Sequence, residues 1–202
     1  ESIPLFPLSG VAVFPELPLP LHIFEPRYRA LLKDALEGDR VIGIVQIRPG
    51  TEGSKEPVFD IGCAGRVEGV SPLPDGRSNI LLRGIARFRI EGEEAPQEGR
   101  LYRRARVTSI PEKILDEDAV TESLARVLHE IGQIDEGMAL LARSDGQPKA
   151  LVVNLLSQLL PLDDLERQSL VEASTIEERA RRLAEFLEFA RLARKAPAQD
   201  TG

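Results

Sequence analysis

The sequence is poor in the residues that most catalytic chemistry needs. It has one cysteine, Cys63, in 202 residues, so no internal disulfide and no multi-cysteine zinc site can form. Two histidines, His22 and His129, leave little for metal ligation. There is no tryptophan, and aromatic residues make up 4% of the chain. A central charge-free run, Ala150 to Leu162, carries Asn154, Ser157, Gln158 and Pro161; it is too short and too polar to span a bilayer. No G-x-x-x-x-G-K-[ST] loop, no H-E-x-x-H and no G-x-S-x-G elbow occurs. His129-Glu130 is followed by Gln133 where a second histidine would be needed. Neither Cys63 nor either histidine has an evident catalytic partner. The expectation is a protein that is not an enzyme, with no cofactor and no metal.

What is present is a soluble-type composition, 42% hydrophobic and 29% charged, long enough to bury a real core. The net charge of −7 is uneven. Residues 1–112 hold 15 basic and 16 acidic side chains, residues 113–202 hold 11 and 17. An acidic chain does not favour polyanions, so nucleic acid is not an expected partner. Scarce cysteine fits the cytoplasm, and no membrane association is expected.

The grammar changes after Glu112. Before it, short apolar runs and turn residues dominate: Ile3 to Leu8, Val11 to Phe14, Val41 to Ile47, Gly62 to Val70, Asn79 to Ile85, Arg87 to Ile90 and Tyr102 to Ile110. Leu17, Leu19, Leu21 and Ile23 alternate with Pro18, Pro20 and His22, the period of a strand. Proline has no N–H for a ladder, so this strand belongs at an edge or a bulge. One helix interrupts the strands, opened by Pro26 and stopped by Gly38, with Tyr28, Leu31, Leu32, Ala35 and Leu36 on one stripe. Many short strands with one helix suggest a compact barrel.

After Glu112 the period is that of helices. Val120, Leu124, Val127, Leu128 and Ile131 share a face behind Asp116, Glu117 and Asp118. Met138, Leu141 and Ala142 suggest a shorter helix. Pro148 opens another, with Leu151, Val152, Leu155, Leu156 and Leu159 turned inward. Asp163 and Glu166 have capping-box spacing, and Ser174 and Glu177 repeat it before a long helix bearing Ile176, Ala180, Leu183, Leu187 and Ala190. The tail from Ala196 is expected to fray. The expected fold class is α+β, with a strand-rich domain over 1–112 and a helical bundle over 113–202.

The stretch IPLFPLSGVAVFPELPLPLHIFEPRYRALLKDAL, residues 3–36, resembles the N-terminal, substrate-binding domain of Lon-type ATP-dependent proteases. DIGCAGRVEGV, LPDGRSNILLRGIARFRI and LLSQLLPLDDLERQSLVEASTIEERARRLAEFL resemble later parts of the same family, in the same order. Cys63 stands where Thr is common, and Glu16 replaces the usual Gly after Phe14-Pro15. The resemblance implies a PUA-like β-barrel with one short helix, followed by a C-terminal α-helical bundle. It implies a standalone, non-catalytic module that recognises apolar or unfolded polypeptide segments, with a protease or chaperone system as a further partner. Lon's ATPase and protease modules would not fit in 202 residues.

The expected peptide groove is lined by Leu19, Leu21, Phe24 and Tyr28 and rimmed by Glu25 and Arg27. Structural use of the same residues is the competing reading, since Pro26 starts a helix and Tyr28 suits a core. An alternative function is RNA binding by Tyr102, Arg104 and Arg106, which share one face of an extended strand. The bland reading of that face is a solvated exterior diluted by Glu91, Glu93, Glu94 and Glu98. Two further alternatives are an adaptor role for the acidic helices and a small-molecule enzyme in a cleft.

Overall fold

The computed structural model describes residues 1–50, 57–133 and 146–195. These fall into two compact units, one of residues 1–112 with 163–172, the other of 113–162 with 173–202. Among the described residues the chain is mixed α/β, with six strands in one sheet and five helices.

The first unit contains β1 (Ser2–Leu8), β2 (Pro18–Ile23), α1 (Pro26–Glu37), β3 (Val41–Gln46), β4 (Ile61–Pro72), β5 (Ser78–Glu93) and β6 (Arg103–Ile110). The sheet order is β2-β5-β4-β3-β1-β6, and β6 also pairs with β5. Pairing therefore passes from β5 through β4, β3, β1 and β6 back to β5, a barrel-like sheet with β2 outside the circuit. β1 and β3 are parallel, which requires a crossover, and α1 lies within it. Among the described residues β2 pairs only with β5, the edge position its prolines require.

Alternation along the strands feeds apolar side chains to both faces. Phe6, Ile42, Ile44, Cys63, Val67, Ile80 and Leu82 pack with Tyr28, Leu31, Leu32 and Ala35 of α1. Ile3, Leu5, Val41, Val45, Val58, Phe88 and Ala105 form a second cluster. The two strands expected at Asn79–Ile85 and Arg87–Ile90 are one strand, β5. A register shift against β4 leaves Ile85 without a partner, so Arg87 and Phe88 are buried in succession and the alternation breaks. Val11–Phe14 belongs to no strand although Ala12, Val13 and Phe14 are buried.

The second unit holds α2 (Glu117–Gly132), α3 (Lys149–Leu159) and α5 (Ile176–Lys195), while α4 (Asp164–Glu172) clusters with the strands. Asp116 caps α2, accepting from the N–H groups of Asp118 and Ala119 at 3.0 and 2.9 Å. The capping box of α4 is reciprocal. Glu166 N–H donates to Asp163 at 2.8 Å, and Asp163 N–H to Glu166 at 3.0 Å.

Two sequence-based assignments shift. Glu178, not Glu177, serves the α5 cap: its N–H donates to Thr175 Oγ1 at 3.3 Å and its carboxylate accepts from Ser174 N–H at 2.7 Å. Glu177 instead accepts from Leu115 N–H at 3.2 Å. On α3 the buried residues are Val153, Asn154, Leu156 and Ser157, whereas Leu159 is 53% exposed. The buried guanidinium of Arg179 on α5 donates to Asn154 Oδ1, which turns that polar face of α3 inward. Met138, Leu141, Ala142 and the tail from Ala196 lie outside the described residues.

Candidate functional site

β2 and β5 set the geometry of the expected groove. Leu19 pairs with Leu82 and Leu21 with Ile80, and both leucines pack against the cluster under α1. The opposite face of the same ladder carries Pro20 beside Leu81 and His22 beside Asn79. His22 Nδ1 lies 2.7 Å from Asn79 Oδ1. Phe24 follows on this side, 57% exposed, with its ring 5.9 Å from that of His22. Leu81 is 39% exposed.

Tyr28 does not reach this outer face. It is 5% exposed, its ring centroid is 4.0 Å from that of Phe6, and its hydroxyl donates to the Pro7 carbonyl at 3.1 Å. Glu25 and Arg27 pair with each other at 2.9 Å, and the Arg27 guanidinium lies 4.6 Å from the Tyr28 ring centroid. With both partners over a third exposed, such a pair adds little stability. The structure thus brings Glu25, Arg27 and Tyr28 together, while Tyr28, Leu19 and Leu21 all pack at one core cluster instead of lining an open groove. Phe24 is the one of the six that projects well into solvent. Sequence reading did not single out Leu81. Its only signal is its place between Ile80 and Leu82, out of phase with the buried face.

The open edge of β2 is short of donors. Gly84 N–H donates to the Leu17 carbonyl at 2.9 Å, so odd-numbered backbones along β2 face β5 and even-numbered ones face away. Pro18 and Pro20 are therefore on the open side, where neither has an N–H to offer an incoming strand.

The Arg-rich face is largely neutralised. Arg104 Nη2 donates to the Ser2 carbonyl at 2.8 Å, and its Nε lies 3.8 Å from Glu94. Arg100 pairs with Glu94 at 3.1 Å, and Arg103 pairs with Glu93. The Ser2 hydroxyl, followed by the nearby arginines, holds the Glu94 carboxyl below its ordinary pKa. Tyr102 donates to Asp34 at 2.6 Å; burial, then that carboxylate, raises its pKa. Arg106 is exposed. Cys63 is buried, its Sγ 3.5 Å from the Ala64 carbonyl, and among the described residues no cluster of His, Cys, Asp and Glu could hold a metal.

Residues 2–188 match the ATP-dependent protease La (LON) substrate-binding domain. The chain belongs to the Lon substrate-binding domain family. It is 28% identical over 190 residues to a Lon protease of Flavobacterium johnsoniae, covering 89% of this chain and 23% of that protein. It is also 28% identical to Lon protease 2 of Herpetosiphon aurantiacus, covering 92% and 23%. The chain thus spans less than a quarter of these relatives. The N-terminal domain of Mycobacterium avium complex Lon protease superimposes with a TM-score of 0.73 at 16% identity, over 93% of this chain and 98% of that one. A Lon N-terminal domain protein from Xanthomonas campestris gives 0.63 at 25% identity, over 98% and 99%. The Lon match is to a substrate-binding, non-catalytic domain, and no helix among the described residues is long and apolar enough to cross a membrane.

Proposed function

We propose that this chain is a non-enzymatic binding module that captures apolar segments of unfolded polypeptides through the outer face of β2 and β5. Membership of the Lon substrate-binding family carries the reading. The apolar surface of Pro20, Leu81 and protruding Phe24 supports this face as the location. Capture works through side chains in shallow apolar contact, because the proline-bearing edge cannot supply the donors of a new ladder. Glu25 and Arg27 form a polar rim, and Tyr28 supports Arg27 from beneath. The module works in the cytoplasm and presents its captured segments to a protease or chaperone system.

Titration of a labelled apolar peptide, followed by fluorescence anisotropy, tests this. Phe24→Ala and Leu81→Ser each weaken binding by about tenfold, the loss of one central apolar anchor. Absence of saturable binding by the folded protein overturns the proposal. The same titration with single-stranded RNA addresses the Tyr102, Arg104 and Arg106 alternative. Paired arginines release few counterions, so salt-dependent RNA binding is not expected.

A further inference from the structure

A small cavity lies inside the first unit, lined by Val11, Ala12, Val13, Ile61, Cys63 and Val171 together with two carboxamides, Gln46 and Gln168. Gln46, at the end of β3, is 3% exposed, and neither its Nε2 nor its Oε1 has a hydrogen-bond partner among the described residues. Gln168, on α4, is 2% exposed. Its Nε2 donates to the Ile61 carbonyl at 3.1 Å and to Glu172 at 2.8 Å, leaving its Oε1 without a donor. Those two acceptors fix the orientation of the Gln168 amide, since a flip would set its oxygen against both. None of the hydrogen bonds among the described residues engages the backbone of Val11, Ala12 or Val13.

An orphaned buried amide is costly, and native interiors rarely keep several in one place. The cavity measures about 10 Å³, the space that one water centre occupies and too little for a side chain or an organic ligand. A purely apolar void of this size stays dry, whereas one bordered by unpartnered buried amide groups can hold a water.

We propose that this cavity is a specific site for one buried water molecule bridging Gln46 and Gln168. The water accepts from Gln46 Nε2 and donates to Gln168 Oε1, with its second proton free for a further acceptor. It ties the end of β3 to α4, beside the direct bonds from Gln168 to Ile61 and from Arg87 to the Val171 carbonyl.

A crystal structure of the full chain at better than about 1.8 Å tests the site, paired with water–protein NOE spectra in solution. The expected result is one density peak within hydrogen-bond distance, about 2.7–3.2 Å, of both carboxamides. A matching long-lived water NOE to the Val13 and Cys63 protons is expected and should be lost in Gln46→Leu. Gln168→Met serves as a second variant should Gln46→Leu fail to fold. A dry cavity with both amides in place, a Gln46 amide turned onto a protein partner, or an NOE that survives in the folded variant overturns the proposal.

Discussion

Arg87, with 1% of its side chain exposed, donates from Nε to Glu112 Oε1 at 2.5 Å. Its Nη1 also donates to the Val171 carbonyl of α4 at 2.8 Å. Removing one partner of a buried pair strands the other, which costs about 3–5 kcal/mol. Glu112 keeps 22% of its side chain in solvent, so the lower end applies. Arg87→Met is expected to lose about 3 kcal/mol in urea unfolding. The double variant Arg87→Met, Glu112→Gln should recover part of that loss. A double-variant loss equal to the sum of the losses of Arg87→Met and Glu112→Gln alone would show that the pair is not coupled.

The segment of residues 24–28 divides into a supporting and an exposed part. Tyr28→Phe leaves the buried Pro7 carbonyl without its donor and should cost about 1–2 kcal/mol. It should leave peptide affinity unchanged. Phe24→Ala, at a 57% exposed site, should change stability by less than about 0.5 kcal/mol while weakening peptide binding. Melting curves and anisotropy titrations on the same samples separate the two effects.

Gly84 has no room for a side chain. A Cβ there would sit 2.1 Å from the Phe14 carbonyl oxygen, a backbone atom. Glu16 N–H donates to the Gly84 carbonyl at 2.8 Å and pins the approach. Gly84→Ala should cost about 3 kcal/mol, at the upper end of overpacking effects. Gly69→Ala is the control, since its Cβ would meet only Leu81 Cβ at an ordinary 3.7 Å. Denaturant midpoints should fall sharply for the first and hardly move for the second.

Glu16 adopts φ 69°, the left-handed region that disfavours side chains. It occupies the turn closed by Leu17 N–H on the Phe14 carbonyl at 3.3 Å. Its side chain is exposed, so Glu16→Gly removes strain and little else. A gain of up to about 1 kcal/mol is expected, partly offset by the entropy that Gly adds to the unfolded chain. A lower melting temperature would contradict this.

Glu178 links stability to pH. The Ser174 N–H first, and Arg182 with it, hold its carboxyl below the ordinary 4.5 against a smaller opposing effect of burial. A folded pKa below the unfolded one adds stability that is fully present above the unfolded value. That stability is lost as pH falls through the folded value. Wild type should therefore lose more stability than Glu178→Gln between about pH 5 and pH 3. Parallel slopes in a pH series of urea melts would rule this out.

Local chemistry made much of the fold readable. Pro26 starts α1, Asp116 caps α2, and the reciprocal Asp163–Glu166 box starts α4, all from contacts within four residues. Pro18 and Pro20 place β2 at an edge because a missing N–H is a property of the residue itself. The site was less readable. Leu19 and Leu21 looked like groove residues, and only the β2–β5 register shows them facing the core while Pro20 and Leu81 face out. Leu159 looked buried by helical spacing, yet Arg179 from a distant helix draws Asn154 inward instead.

The sequence by itself determined the element types, the change of grammar at Glu112 and the Lon-like pattern, because periodicity, caps and prolines act over a few residues. Tertiary structure alone decided that α4 clusters with the strands and that Arg87 is buried among them. It also decided that two glutamines meet at one cavity and that Phe24 projects while Tyr28 does not. These depend on register and on contacts between residues up to about a hundred positions apart, such as Gln168 with Ile61. No local rule encodes which polar group finds which distant partner; close packing of the finished fold does.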